Sequence, residues 1–396
     1  MHTKTHISMY KKVFSHSLDS QKNGATVEIH SLSHDGRGIT TIADKTTFVA
    51  GALPGETVTC KIVHKHSNYN DAQMLELIIP SSERVTPPCE HFGLCGGCSL
   101  QHMSVAMQLK MKEQTLLDHL KHFGRVTPEN ILPPLTANST GYRRKARLGA
   151  KFVIKKDKVL VGFREKASNY LADLEQCRIL HPQVGTHFLA LRELISSLQL
   201  IRHIPQIEVA IGDQDAALVF RHLEPVSDAD LEKLRSFGNN YQFHIYLQPN
   251  PPAPIHKIWP MDEQQRLRYT LPEFNLEFLF HPLDFTQINL EVNRLMVSQA
   301  IQWLDLQAED TVLDLFCGIG NFTLPIARHV RHVTGIEGGT EMVKRAGDNA
   351  SHNQITNTEF HAANLEQPDP QAPWMKHQYD KLLLDPPRVG AKAILA

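Results

Sequence analysis

The sequence predicts an α/β chain of three parts: a small N-terminal β-barrel, a central α+β region, and a C-terminal doubly wound parallel sheet with four strands present. Three observations carry this. The 396 residues are too many for one hydrophobic core. Residues from about 24 to 79 form short β-prone runs broken by Gly, Asp and Asn. From about 285 onward, β and α units alternate at the spacing of a parallel sheet.

The elements follow in chain order. Residues 1–20 read as an N-terminal tail and 21–80 as the barrel, with some five strands. Gly36 and Gly38 mark one tight turn of that barrel and Pro54-Gly55 another. The region 81–284 opens with a cysteine-dense loop, "PPCEHFGLCGGCSLQH". Ser104 then caps a helix whose apolar face is Leu109, Leu116, Leu117 and Leu120, and Gly124 stops it. In 285–396, a helix "LEVNRLMVSQAIQWL" leads into strand "TVLDLF", a glycine turn and helix "NFTLPIARHV". Strand "HVTGIEG", helix "TEMVKRAGDNASHN", strand "TEFHAANL" and strand "KLLLDPP" complete the series. Three leucines before Asp385 mark a buried strand that delivers a carboxylate at its end, and Pro386-Pro387 stop it.

With 41% apolar and 21% charged residues, the composition is that of an ordinary globular protein. The N-terminus has no apolar signal core, and no run approaches the roughly 18 residues needed to span a bilayer. A cytoplasmic location without a membrane partner is therefore expected. The net charge of −1 hides an asymmetry. Residues 141–166 hold ten Lys and Arg against two acids, whereas 280–396 hold nine against fourteen. The basic stretch points to a polyanion, with Arg143, Arg144, Lys145 and Arg147 as phosphate contacts and salt-sensitive binding.

Six cysteines in a cytosolic chain point to metal rather than disulfides. Cys89, Cys95 and Cys98 have the spacing C-x5-C-x2-C, with Cys177 as the fourth thiolate. Four thiolates suit structural zinc or a [4Fe–4S] cluster, and the spacing leans toward the cluster. His91 and His102 are the alternative ligands.

The second centre is "VLDLFCGIGNFTLPIA", a strand, a Gly-x-Gly turn and the start of a helix. Its glycines let a ligand approach the backbone, and Glu337 at the tip of the next strand is placed for ribose hydroxyls. The third glycine of a dinucleotide fingerprint is missing, so a nucleoside with a compact tail fits better, and S-adenosylmethionine is one. Asn364 ends the third strand beside the adenine position, and Asp385 ends the fourth. Cys317 reads as a small residue lining the turn rather than as a nucleophile.

The barrel, the cysteine pattern, "FTQIN" (Phe285 to Asn289), and "DLFCGIGNF" followed by "DPPR" together resemble the bacterial RNA uracil-5-methyltransferases, over nearly the whole chain. The barrel resembles a TRAM (OB-like) domain and the C-terminal part a Rossmann-like methyltransferase domain. Barrel and cluster together point to the branch acting on 23S rRNA, since the tRNA branch lacks both. The resemblance implies a [4Fe–4S] cluster on Cys89, Cys95, Cys98 and Cys177. It implies S-adenosylmethionine contacts from Gln287, Phe316, Asn321, Glu337, Asn364 and Asp385, and action as a monomer on single-stranded or flipped uridine.

Carbon 5 of uracil is too weak a nucleophile to take a methyl group directly. In the family a cysteine adds at carbon 6, carbon 5 of the resulting enolate takes the methyl, and a base removes the carbon 5 proton. The family places that cysteine and its glutamate base after "DPPR", and the sequence reaches neither before Ala396. The expectation is a C-terminally incomplete methyltransferase domain with no catalytic residue in this chain, and hence no activity. The alternative is a non-catalytic RNA-binding protein that retains cluster and cofactor site. An amino-group methyltransferase using Asp-Pro-Pro, and a cluster-based oxidoreductase, rank below both.

Overall fold

The structure, a computed structural model, describes residues 24–250, 254–262 and 265–395. The expected tail, 1–20, lies outside the described residues. The chain separates into two compact units, residues 1–134 with 162–174 and residues 135–161 with 175–396, so the stretch 81–284 contributes to both.

The first unit is built on six strands: β1 (Ala25–Glu28), β2 (Ser31–Leu32), β3 (Gly38–Ile42), β4 (Lys45–Ala50), β5 (Thr57–Lys65) and β6 (Tyr69–Ile79). Their order is β1-β5-β6-β4-β3-β2. β1 and β2 are one stretch of chain whose first half pairs with β5 and whose second half pairs with β3. Ile29 N–H donates to Glu56 O, and His30 N–H donates to Ile39 O, so this stretch closes the barrel with few open edges. Ile29, Val49, Ala52, Val58, Cys60 and Ala72 fill it.

Glu56 is the buried charge of this unit, at 0% exposure. Its carboxylate accepts the Leu53 and Ser81 N–H groups at 2.8 and 3.3 Å and the guanidinium fork of Arg84, whose Nη2 also reaches Gly51 O. The segment after the barrel is thereby clamped to the barrel's own turn. Ser104 caps the helix Val105–His119 as expected, its hydroxyl accepting Met107 N–H at 3.1 Å. The buried face differs from the leucine stripe. Met107 and Met111 pack on Leu53 and Met103, while Leu116 is exposed, because the neighbouring loop meets the helix on its methionine side. The helix ends in one wide turn, Leu120–Gly124, before Arg125 turns left-handed.

The second unit carries a six-stranded sheet, ordered β12-β11-β10-β9-β7-β8. Its strands are β7 (Lys145–Val153), β8 (Lys158–Gly162), β9 (Gln206–Ile211), β10 (Ala216–Arg221), β11 (Phe243–Gln248) and β12 (His256–Trp259). β10 and β11 run parallel across the connecting helix Asp228–Tyr241, capped by Ser227. A hairpin of β13 (Leu267–Leu271) and β14 (Leu276–Phe280) follows.

The C-terminal sheet holds β15 (Thr311–Leu315), β16 (His332–Glu337), β17 (Thr358–Ala362) and β18 (Lys381–Leu384). All are parallel, in the order β17-β16-β15-β18. Helices Thr323–Ala327 and Thr340–His352 make the first two crossovers. The chain then returns to the opposite side of β15, so the order reverses between β15 and β18. Open α/β sheets bind ligands beyond the carboxyl ends of the strands at such a reversal. The third strand stops at Ala362, two residues short of Asn364. In the described sheet β18 is the outer strand, with Leu382 47% exposed. Among the described residues no helix is long and apolar enough to cross a membrane.

Arg84→Met would leave the Glu56 carboxylate buried without its charge partner. The expected cost is about 3–5 kcal/mol, read as loss of the first unit's unfolding transition at lower urea than wild type.

Candidate functional site

β15 ends at Leu315, and Phe316 to Gly320 make the turn. Phe316 and Cys317 N–H groups both donate to Ile336 O, at 2.9 and 3.1 Å, which bends the chain across the tip of β16. Phe316 is left-handed at φ 66°, a conformation that non-glycine residues hold only when their surroundings enforce it. Its side chain joins Leu315, Ile336, Leu365 and Trp374 in an apolar cluster. Gly318 and Gly320, at φ 58° and 91°, take the positions that a side chain would strain.

Three anchors hold this turn. The Glu337 carboxylate accepts N–H groups from Gly318 (3.1 Å), Gly338 (2.8 Å) and Gly339 (3.2 Å). A carboxylate offers about four acceptor directions, so Glu337 could accept one further donor without releasing a backbone N–H. Asn321 exchanges a reciprocal amide pair with buried Asn293 at 2.9 Å each way, and its Oδ1 also accepts the Tyr269 hydroxyl at 2.9 Å. Asn349 donates to Ile319 O at 3.2 Å while its Oδ1 accepts Leu279 N–H. The side chain of Asn321 is thus committed to the protein.

Asp314, the acid that the sequence places at the end of this strand without a named role, lies beneath the turn at 1% exposure. Its Oδ2 accepts the Thr323 hydroxyl at 2.5 Å, and its Oδ1 is buried with no hydrogen-bond partner among the described residues. Burial pushes its carboxyl up to about 7 against the pull of the Thr323 bond, with nearby Asp385 and Glu337 adding to the rise. Asp385 follows the end of β18, and burial raises its carboxyl too. Three carboxylates from three adjacent strands therefore converge, one with an open acceptor, and this set suits a cationic nucleoside. Asn364 is exposed just past β17, its Oδ1 accepting Glu366 N–H at 3.0 Å. Cys317 is buried among these acids, which add to a burial that raises its thiol well above the usual range. A thiol so placed is not a ready nucleophile.

The basic run lies beside the "FTQIN" segment. Arg143 bridges Asn289, and Arg144 N–H donates to Ile288 O at 2.9 Å. Arg144 and Gln287 line one narrow pocket with Tyr269, Thr286 and Asn293, so Asn293 connects this pocket to Asn321. The four basic side chains do not form a uniform stripe. Lys145 donates to Pro282 O (2.6 Å) and Asp284 O (2.8 Å), and burial pushes its ammonium down to about 8. Arg144 reaches Gly212 O and faces Asp213 at 3.9 Å. Arg143 Nε donates to Lys145 O at 2.9 Å. Arg147, paired with Glu208 at 2.6 Å, projects with 71% of its side chain exposed.

The cysteine loop belongs to the first unit. Cys95 Sγ accepts Gly97 N–H at 3.4 Å, where a Cβ on Gly97 would press on the sulfur. Cys89 N–H donates to Gln101 Oε1 at 3.2 Å. Gln101 Nε2 and both ring nitrogens of His102 are buried without hydrogen-bond partners among the described residues. Cys177, in the second unit, accepts Leu180 N–H at 3.4 Å on its sulfur. Among the described residues no three His, Cys, Asp or Glu side chains are gathered as ligands of a metal ion. The chemistry of the set is that of a thiolate centre, three thiols on ten residues of chain with a backbone N–H on the Cys95 sulfur, but the four cysteine side chains are not brought together.

A family model described as tRNA (Uracil-5-)-methyltransferase matches residues 105–368, and a TRAM domain model matches 24–75. The chain belongs to the RNA uracil-5-methyltransferase family. Relatives within it include the 23S rRNA (uracil(1939)-C(5))-methyltransferase RlmD of Hahella chejuensis, 50% identical over 93% of this chain and 84% of that protein. The RlmD of Alcanivorax borkumensis is 48% identical over 92% of this chain and 82% of its own length. The crystal structure of Pyrococcus abyssi tRNA (uracil-54, C5)-methyltransferase with S-adenosyl-L-homocysteine shares the fold, with a TM-score of 0.72 at 21% identity over 94% of this chain and 86% of that one. The family read from the cysteine, "FTQIN", glycine-turn and "DPPR" motifs is the family found, and the barrel is its TRAM domain.

Asp314 binds a proton in the fold up to about pH 7 and in the unfolded chain only to about pH 4. Its contribution to stability is therefore full below about pH 4 and is lost as the pH rises through 7. Asp314→Asn is expected to remove a decline of up to about 1.4 kcal/mol per pH unit, seen by comparing urea unfolding of variant and wild type at pH 5 and pH 7.

Proposed function

We propose that this chain serves the methylation of carbon 5 of a uridine in 23S rRNA, with S-adenosylmethionine as methyl donor. The observation that carries this is the converging set of Asp314, Glu337 and Asp385 around the glycine turn, in a chain half identical to relatives named for that reaction. The donor supplies an electrophilic methyl on a sulfonium. The chain's own residues would bind and orient it. Glu337 would take a ribose hydroxyl, Phe316 and Asn364 would flank the base, and Asp314 and Asp385 would face the positive charge. Asn321 would act by holding the turn rather than by reaching the donor, and Gln287 would act from the neighbouring pocket.

The RNA side is supported by the TRAM domain and by Arg147, whose exposed guanidinium is the most available phosphate contact of the basic run. Arg143, Arg144 and Lys145 would set the shape of that surface. Cys89, Cys95, Cys98 and Cys177 are the proposed ligands of a [4Fe–4S] cluster, a reading supported by their thiol chemistry and spacing. Action as a monomer in the cytoplasm completes the reading.

The attacking thiol is proposed to lie outside the six cysteines of this sequence. Cys60 is buried in the barrel, Cys317 is buried with its thiol raised, and the other four are the cluster ligands. Residues 1–396 alone should therefore bind donor and RNA without transferring methyl.

Labelled methyl transfer from S-adenosylmethionine to unmodified 23S rRNA, with the chain purified without oxygen, tests this. Expected are binding of S-adenosylhomocysteine by calorimetry and no transfer. Transfer to carbon 5 of a uridine would overturn the assignment and make Cys317 the first candidate nucleophile. For the RNA surface, Arg147→Gln is expected to lower the slope of log affinity against log salt by about 0.7, with folding unchanged.

A further inference from the structure

The hairpin that joins β5 to β6 ends in a stack of side chains. The His66 ring lies on the Tyr69 ring, with centroids 4.2 Å apart and planes 20° apart. Phe48 of β4 meets Tyr69 edge to face at 5.5 Å, and the Arg37 guanidinium lies over the Phe48 ring, 4.6 Å from its centroid. Tyr69 and Asp71 are on the outer face of β6, alternating with buried Asn70 and Ala72. Three rings and a guanidinium, from the β2–β3 turn, β4 and the β5–β6 hairpin, thus make one row on the outside of the barrel.

The row is held in place. The Asp71 carboxylate accepts His66 Nε2–H at 2.9 Å and the Arg37 guanidinium at 2.6 Å, which fixes both of its ends. His66 N–H donates to Tyr69 O at 2.9 Å and His66 O accepts the Lys45 ammonium, so this residue is tied through its backbone as well as its ring. One face of the imidazole is taken by Tyr69, so its 40% exposure belongs to the other face and the edge. A flat ring presented in a fixed orientation is what a nucleobase stacks on, because the cost of ordering it is met before the ligand arrives. The surrounding charge suits a polyanion. Arg37 neutralises Asp71, and β5 carries Lys61 and Lys65 with no acid.

We propose that the His66–Tyr69 stack, braced by Phe48, Arg37 and Asp71, is a base-stacking platform for single-stranded RNA, and that it gives the chain a preference for unpaired nucleotides. The inference rests on the RNA reading above and adds a contact with bases where Arg147 supplies one with phosphate. Duplex RNA keeps its bases within its own stack, so only an unpaired or splayed nucleotide can reach the imidazole face. Stacking asks for a π-face and not for a particular base, so the platform tolerates sequence and does not itself select the uridine.

The test uses the full chain as wild type, His66→Ala, Tyr69→Leu and Tyr69→Phe. Three probes are titrated by fluorescence anisotropy at several salt concentrations: a short RNA strand of mixed sequence, the same strand with its bases removed, and an RNA duplex. Thermal midpoints are measured beside them. Expected is roughly tenfold weaker binding of the intact strand in His66→Ala and Tyr69→Leu, with the base-free strand and the duplex bound as by wild type. The slope of log affinity against log salt should be unchanged in Tyr69→Leu, since no phosphate contact is lost. Tyr69→Phe keeps the ring and should bind the intact strand more tightly than Tyr69→Leu. A wild-type chain that holds the base-free strand as tightly as the intact one would overturn the platform and leave the RNA reading standing. So would folded His66→Ala and Tyr69→Leu variants with wild-type affinity. Losses that fall equally on all three probes would assign the rings to the fold of the hairpin and overturn the proposal as well. A wild-type chain that binds none of the three would overturn the RNA reading itself and this proposal with it.

Discussion

The Glu337 carboxylate, with three backbone N–H groups on it, is the interaction on which the glycine turn beyond β15 depends. β15 and β16 lie side by side, but a ligand can use their ends only if the chain leaving β15 is held open. Left-handed Phe316 would relax without support, and Gly318 and Gly320 have no side chain with which to anchor themselves. Glu337 ties the first half of the turn, the Asn321–Asn293 pair ties the second, and Asn349 takes the carbonyl between them. The site is thereby preorganised by residues from four different elements.

The acids at the strand ends are held differently. Glu337 accepts three backbone N–H groups, whereas Asp314 is buried with one hydroxyl donor, and burial pushes its carboxyl up to about 7. A raised carboxyl beside two others lessens their mutual repulsion in one small space.

Much of this was legible in the sequence, and the parts that were not share a cause. Alternation of apolar runs with glycine turns marked β15 to β18, and the acids at the strand tips, Glu337 and Asp385, followed from counting residues past each run. The closure of the barrel by one stretch serving β5 and β3 also agrees with its turn signals. Partners far apart in the chain were not legible. No local pattern reveals that Asn321 answers to Asn293, that Lys145 donates to Pro282 and Asp284, or that Met111 rather than Leu116 meets the core. A run of four basic residues looks like one electrostatic surface, yet Lys145 and Arg144 are taken up by carbonyls from distant segments, Pro282 and Asp284 for one and Gly212 for the other. That leaves Arg147 as the exposed charge. Asp314 was hidden differently. Its place at a strand end was visible, but its stranded oxygen arises only when helix Thr323–Ala327 covers it.

The hydrogen bonds between Arg143–Arg144 and Ile288–Asn289 join the basic run to the cap of helix Leu290–Leu304, from which Asn293 reaches the glycine turn. A displacement of the Arg143–Arg144 backbone would therefore be carried through Ile288 and the helix start to the Asn293–Asn321 pair. The basic run and the turn after β15 are tied by a few peptide groups and one reciprocal amide pair, and neither can shift without the other.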